Sequence, residues 1–392
     1  MDQSLFGYAI PGIKEEFGSS VTDIGWVLFA SFVFAGFASS IIGMLGDRYG
    51  RRTMFISCLA ISAFLVGMHA FVTGLVTLTI LRMLAFGISN GLSPITNAFT
   101  AEAAPARFRG LMVGLLQCGY PLGWFVASLI AVPIMADFGW RYIFMPALLV
   151  IPIAFWLARR LPESQRFTEM RAKVDADPTA KKALPLHKLR ELFAPDLRRK
   201  TILTFIAFFM FGGAYAGTAF YFVLYFTEAR GYTAEVATAI VGTSYGIGVL
   251  GYIAVAFLGE FVMTRRNLCV TWAWLGAASL AGLVWIPDSQ AEDVLWFGLM
   301  AAFFYGNGAA LSMMVAETFP TRVRATAGGF AASFALNMGH AVFPLLVAYG
   351  VEQVGWQWAF TVAVVPTMFI CGLAMLGLKS TRRGLDLDEI AT

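Results

Sequence analysis

Asp2 and Arg82 are the two residues in this 392-residue chain whose type and placement most clearly promise chemistry. Asp2 is the only carboxylate placed well inside an apolar run, and Arg82 is the only cation so placed. Burial disfavours an ionised acid and a neighbouring cation favours it, so an Asp with a movable Arg partner can take up and release a proton as helices shift. Asp2 lies about 16 Å from the far end of the first run and Arg82 about 8 Å from the same end of the fourth, at 1.5 Å per residue. They can meet if the Arg head points inward. The plainer alternative makes Arg82 a structural clamp and Asp2 part of a frayed stub. Other polar residues within the runs are Asn90, Asn97, Gln117, Tyr215, Tyr221, Asn307, Asn337 and His340. They could line a cavity, although helix–helix bonding is the commoner use of a buried Asn or Gln, and a lone His is a packing residue about as often as a proton carrier.

A second set of residues suits a charge latch. In Gly46-Asp47-Arg48-Tyr49-Gly50-Arg51-Arg52, between the second and third runs, an acid and forked cations are flanked by glycines. Asp47 could cap a helix end, and Arg51 and Arg52 could pair with carboxylates such as Glu102, holding neighbouring helices together in one state and releasing them in another. Arg109, Glu317 and Arg324 belong to equivalent loops. Gly259-Glu260 with Thr264-Arg265-Arg266 lacks the Asp-Arg core, so its latch should be weaker. A solvated topology signal is the bland reading of the basic residues.

These residues must be carried by membrane helices. The chain is 58% hydrophobic and only 13% charged, about half the charge of an ordinary globular protein. Eleven apolar runs of spanning length fall near 21–43, 53–75, 77–101, 110–136, 140–160, 200–227, 235–262, 267–287, 292–316, 326–349 and 356–378, and a twelfth, Asp2 to Ile13, stands ahead of them. If the runs alternate, all but four of the 28 Lys and Arg lie on one side. Lys14, Arg141 and Arg230 lie on the other, and Arg82 is within a span. The positive-inside rule makes the basic side cytoplasmic. Parity then requires both termini of the full-length chain to be cytoplasmic, and the short first run is expected to be the outer part of a truncated helix.

Residues 161–199 are the one long polar stretch, and divide the chain into an N-terminal six-helix half (1–160, first helix incomplete), a cytoplasmic linker, a C-terminal six-helix half (200–378) and a tail (379–392). Glu102, Pro105, Arg107 and Arg109 recur as Glu317, Pro320, Arg322 and Arg324, each 215 positions on, and Gly139-Trp140 recurs as Gly355-Trp356. Such a duplication fits a secondary transporter with its site between two halves at the midplane.

The loop from Gly43 to Arg52 resembles the signature of the major facilitator superfamily. Arg82-x4-Gly87-x3-Gly91, then Glu102-x2-Pro105-x3-Arg109-Gly110, and Leu161-Pro162-Glu163-Ser164 are similar to the proton-linked sugar and organic-acid branches. The resemblance implies an all-α fold of two six-helix bundles with twelve spans. It also implies that Asp2 and Arg82 form a coupling pair and that Gln117 stands where a helix-5 Gln contacts substrate. The seventh run offers Gly213-Ala-Tyr215 through Phe220-Tyr221 in place of the Gln-Gln-x-Ser-Gly of sugar porters, and the fifth, Gln117 to Gly123, departs from the Gly-Pro-x-x-Gly-Gly of drug antiporters. The expectation is therefore a proton-coupled importer of a small organic anion such as a carboxylate. A sugar or polyol symporter is the alternative, and a drug or metabolite efflux antiporter comes behind it. The protein is expected in the plasma membrane, a bacterial inner membrane, as a monomer whose partners are substrate, proton and lipid.

Other chemistries find no support. Cys58, Cys118, Cys269 and Cys371 sit singly, without metal-ligand spacing, so neither a metal nor a disulfide framework is expected. Gly246-Ile-Gly248-Val-Leu-Gly251 spells a dinucleotide fingerprint but lies in an apolar helix with no preceding strand, which points to close helix packing. No phosphate-binding G-x4-G-K-[S/T] sequence is present, no basic face is interleaved with aromatics for nucleic acid, and no clustered nucleophile and base suggest an enzyme or a cofactor.

Overall fold

The computed structural model describes residues 2–92, 95–96, 112, 115–161, 163, 186–320, 323 and 326–379. Among them regular structure is helical throughout. A bilayer demands this, because in hydrocarbon each backbone N–H must be paired within its own segment.

The helices are α1 (Asp2–Phe17), α2 (Val21–Tyr49), α3 (Arg51–Met68, closed by a 3-10 turn His69–Phe71), α4 (Leu75–Asn90) and α5 (Gly119–Phe138). A 3-10 stretch, Trp140–Leu149, leads into α6 (Val150–Arg160). After a short helical turn at Leu186–Glu191 come α7 (Arg198–Ala219, extended by Phe222–Glu228), α8 (Ala234–Phe261) and α9 (Arg265–Trp285). Then follow α10 (Gln290–Met300, continued through a π stretch to Asn307–Thr318), α11 (Ala335–Ala363, entered through the π stretch Gly328–Phe334) and α12 (Val365–Leu376). Nine described segments are long and apolar enough to cross a membrane, and one of these, Gly328–Leu376, turns back on itself at Gly355. With the shorter α1 and α4 they supply the twelve spans read from the sequence.

Local chemistry sets the ends. Ser20 caps α2 in a reciprocal box with Asp23, and Thr233, Thr264 and Ser289 cap α8, α9 and α10, each accepting a backbone N–H three residues on. Gly139 and Gly355 share one backbone conformation, φ 85 and ψ 175 against φ 80 and ψ 172, which only glycine adopts readily. The repeated Gly-Trp pair thus makes the same reversal before the sixth span and before the twelfth.

Helices of the first six pack directly on helices of the last six: α2 lies along α11, α5 along α8, and α1 against the extension of α7. Small residues permit the closest approaches. A Cβ on Gly248 would stand 2.7 Å from that of Ala301, and one on Gly251 would strike the Ala302 backbone. The glycine run in α8 is a packing surface against α10, as its apolar context indicates.

Candidate transport site

Asp2 sits in the first turn of α1, and Arg82 extends from α4 to place Nη1 2.6 Å from Asp2 Oδ1. The head points inward, as the depth arithmetic requires. Ser89 lies two turns beyond Arg82 on the same face of α4 and donates its hydroxyl to Asp2 Oδ2 at 2.8 Å, while the same hydroxyl stands 3.2 Å from the Phe86 carbonyl. Phe6 and Phe86 cover the guanidinium, with centroids 4.3 and 5.1 Å from Cζ. The Arg82 side chain is only 1% exposed, so it is sealed in this conformation and reaches no open cavity. Both charges are matched and hydrogen-bonded, the condition under which an ion pair survives burial.

A third ionisable group joins them. His69, on the turn that closes α3, is fully buried, stacks on Phe144 at 5.1 Å, and interacts electrostatically with Asp2 and Arg82. Sequence reasoning passes over it because it stands near the end of an apolar run, on a turn that packs against α4 and the Trp140–Leu149 stretch. Ser89 was accessible to sequence reading through its seven-residue spacing from Arg82.

Near the centre, aromatic side chains from both sets of helices converge. Trp124 of α5 stacks on Tyr245 of α8 at 4.8 Å, Tyr245 stacks on Tyr305 of the α10 π stretch at 5.2 Å, and Trp124 donates its indole N–H to Tyr215 Oη at 3.3 Å. Tyr8 Oη donates to the Trp124 carbonyl at 2.8 Å, and Thr218 bonds Tyr305 Oη at 2.8 Å. His340 of α11 lies between Phe32 and Tyr215, 4.9 and 5.6 Å from their rings. Asn90 donates to Asn337 at 3.4 Å, and Gln117 reaches Ser312 at 3.5 Å, both across the α1–α6 and α7–α12 sets.

Five of the polar residues picked out from the sequence, Asn90, Gln117, Tyr215, Asn337 and His340, therefore lie at contacts between the two sets. Tyr221 and Asn307 stand apart: Tyr221 donates to the Pro344 carbonyl at 3.1 Å and Asn307 to Cys371 Sγ at 3.7 Å, both fully buried within the last six helices. Asn97 lies outside the described residues. Trp124, Tyr245, Tyr305 and Phe32 were not singled out in the sequence, where isolated aromatics in apolar helices carry no signal.

Residues 1–335 of the chain match the model of the family described as Major Facilitator Superfamily. The chain belongs to the major facilitator superfamily. Among curated proteins it is similar to a cis,cis-muconate transport protein of Acinetobacter baylyi, 27% identical over 381 residues, covering 95% of this chain and 89% of the relative. It is equally similar to a 3-(3-hydroxy-phenyl)propionate transporter of Escherichia coli, 27% identical over 397 residues, covering 97% and 91%. A niacin transporter of A. baylyi is 21% identical over 412 residues, covering 100% and 92%. This facilitator is an integral membrane transport protein of all-α fold, not an enzyme.

The signature loop of the facilitator is partly described. Gly50 takes φ 104 at the junction of α2 and α3, and Gly46 packs near Ile95. Glu163 of the Leu-Pro-Glu-Ser segment accepts the backbone N–H of Arg52 at 3.0 Å, and the Arg52 guanidinium donates to the Ala158 carbonyl, so this loop is tied to the end of α6. Arg51 also stands at the start of α3. The side chains of Asp47, Arg48 and Glu317, and the whole of Glu102, Arg109 and Arg324, lie outside the described residues. In the counterpart loop Glu260 pairs with Arg265 at 3.0 Å.

The opposite end of the facilitator carries clasps that sequence reading did not expect. Trp140 donates its indole N–H to Glu16 at 2.9 Å, and Arg141 pairs with the same carboxylate at 2.5 Å. Trp356 donates to Glu228 at 2.9 Å, and Lys14 of α1 pairs with Glu228 across the interface. Close by, the backbone N–H of Thr22 donates to Glu352 at 3.0 Å.

Proposed function

We propose that this facilitator imports a small organic anion, an aromatic or unsaturated carboxylate, in symport with a proton by alternating access. The observation that carries the reading is the buried Asp2–Arg82 pair with Ser89 on the second carboxylate oxygen. When Asp2 is ionised it holds Arg82. When Asp2 takes a proton, Arg82 loses its counter-charge in a sealed site and is driven to find another anion, and a substrate carboxylate is the natural one. Binding of anion and proton are thereby linked, and each raises the affinity for the other.

The substrate class rests on two supports. The relatives carry muconate, 3-(3-hydroxyphenyl)propionate and niacin, which are carboxylic acids with flat, conjugated or aromatic frames. The facing rings of Phe32, Trp124 and Tyr215, with His340 between, offer such a frame stacking surfaces and few hydrogen-bond partners, which suits an aromatic ring better than a sugar. Asn90, Asn337 and Gln117 would supply the polar contacts.

Transport would proceed by rocking of residues 1–160 against 200–378, joined by the cytoplasmic linker 161–199 and followed by the tail 379–392, in a plasma membrane with the basic loops inside. The end bearing Lys14, Glu228 and Glu352 is then the outer one, and the contacts there hold it closed. One proton moving with one monovalent anion carries no net charge, so accumulation follows a pH gradient and ignores membrane potential. The test is uptake of labelled 4-hydroxybenzoate, muconate and glucose into proteoliposomes under an imposed pH gradient or an imposed potential. Accumulation of an acid driven by the pH gradient alone supports the reading. Accumulation of glucose only, or drive by potential alone, overturns it.

A further inference from the structure

Arg82 has more donors than Asp2 uses. A guanidinium carries five N–H groups, the Asp2 contact runs through Nη1, and Nε–H meets no acceptor among the described residues. Coupling by exchange of partners requires Arg82 to hold either Asp2 or a substrate carboxylate, yet a cation with donors to spare can hold both at once. Something other than charge must make the grip exclusive.

Rings supply it. Phe6 stands four residues after Asp2 on α1 and Phe86 four after Arg82 on α4, so each partner carries a lid one turn along its own helix. The ring centroids lie 4.3 and 5.1 Å from Arg82 Cζ, and both rings are buried. Phe86 leads onward. Its ring meets Phe32 of α2 edge-on, with 4.8 Å between centroids, and Phe32 in turn meets Phe220, where α7 joins its extension, at 5.6 Å and His340 of α11 at 4.9 Å. Phe32 thus touches both the rings of the proposed substrate site and the lid over Arg82.

We propose that Phe86, backed by Phe32, is a gate that admits a substrate carboxylate to Arg82 only when Asp2 has let go of the cation. The inference rests on the proton-coupled reading above and adds to it the positioning residues that make coupling strict. While Asp2 is ionised, Arg82 is fixed at Nη1 and lies against the Phe86 ring, whose π face attracts the cation, so ring and cation hold each other in place. When Asp2 takes a proton the guanidinium is freed and the ring loses what orders it. Turning of Phe86 then brings Arg82 to the carboxylate of an acid stacked beside Phe32. There is slack for the movement: a Cβ on Gly36, one turn beyond Phe32 on the same face of α2, would meet only the Asn337 Cβ within 4 Å, at 3.7 Å.

The titratable groups around the gate come from few elements. Asp2 is on α1, Arg82 on α4, His69 on the turn after α3, Tyr215 on α7 and His340 on α11, whereas α2 gives the gate Phe32 and keeps Asp23 at its own N-terminal cap. Replacing Phe86 alters none of them.

The test is binding of 4-hydroxybenzoate to the purified protein in mildly acidic and in alkaline buffer. The unsubstituted protein should bind about tenfold more weakly in the alkaline one. Phe86→Ala should gain affinity there and nearly close that gap, and in proteoliposomes it should keep exchange of the acid while losing most of its accumulation under a pH gradient. Phe86→Leu, which refills the passage, should restore the gap. Where Phe86→Ala does not fold, Phe86→Val, still smaller than the ring, is measured in its place. If the unsubstituted protein binds equally in both buffers, the coupled reading itself fails. If it shows the gap and the small variants keep it, or weaken equally in both buffers as lost packing alone would make them, the gate is overturned while the coupling pair stands.

Discussion

Trp356 donates its indole N–H to Glu228 as Trp140 does to Glu16, at 2.9 Å in both cases, so one clasp has been built twice. Each ties the C-terminal end of the first helix of a six-helix set to the glycine reversal that begins its last. The two differ in the cation: Arg141 keeps the first clasp within its own set, whereas Lys14 carries the second across to the other.

If the Lys14–Glu228 contact holds the outer side closed, Glu228→Gln opens it. Leu28 shares a face of α2 with Gly25, which abuts α11, and is 1% exposed. In Leu28→Cys, labelling by a membrane-impermeant thiol reagent should be slow, and adding Glu228→Gln should speed it severalfold, whereas Glu16→Gln should not. Equal labelling in all three would show that the ion pair is a surface contact of no consequence, which exposed pairs often are.

The two reversals give a stability prediction. An ideal Cβ at Gly139 or Gly355 would meet no atom within 4 Å, so an alanine there pays only for its backbone conformation. Gly139→Ala and Gly355→Ala should each cost about 1–3 kcal/mol, seen as lower apparent melting temperatures in detergent, with little change at Gly119→Ala, which has open space and helical geometry.

Ser89 offers a graded test of the coupling site. Its hydroxyl stabilises the ionised form of Asp2, and Ser89→Ala removes that bond without touching the Arg82 contact. Asp2 should then take its proton more readily, moving the pH of half-maximal uptake upward, while substrate exchange persists. A profile that stays in place would separate Ser89 from the coupling.

Orientation can be read directly. Gln290→Cys, exposed beside the Ser289 cap of α10, should label only from outside intact cells, and Arg199→Cys, exposed at the start of α7, only after permeabilisation. The reverse pattern would invert every statement made about inner and outer faces.

Much of this molecule was legible before any coordinates. Span count follows from hydrocarbon thickness, a one-dimensional quantity; rise per residue only allowed Asp2 and Arg82 to meet, and it was the resemblance that paired them. The Gly246–Gly251 run read as packing because its context was apolar on both sides. What escaped was juxtaposition. The stack of Trp124, Tyr245 and Tyr305 joins three helices distant in sequence, and no periodicity announces it. The repeat of Gly-Trp was visible, but its Glu partners were not, since they sit at a different offset from the tryptophans. For Arg52 the sequence suggested Glu102, whereas the described contacts run to Glu163 and Ala158, a loop that linear proximity could not indicate.

If Asp2 carries the coupled proton and Arg82 answers to it, Asp2→Asn is the most direct test. The neutral amide imitates the protonated acid, so the variant in proteoliposomes should exchange 4-hydroxybenzoate across the membrane yet fail to accumulate it under a pH gradient. Arg82→Lys should weaken both activities, because a point charge cannot grip a carboxylate with two parallel hydrogen bonds. Accumulation by Asp2→Asn with an unchanged pH profile would place the proton on another residue and contradict the account.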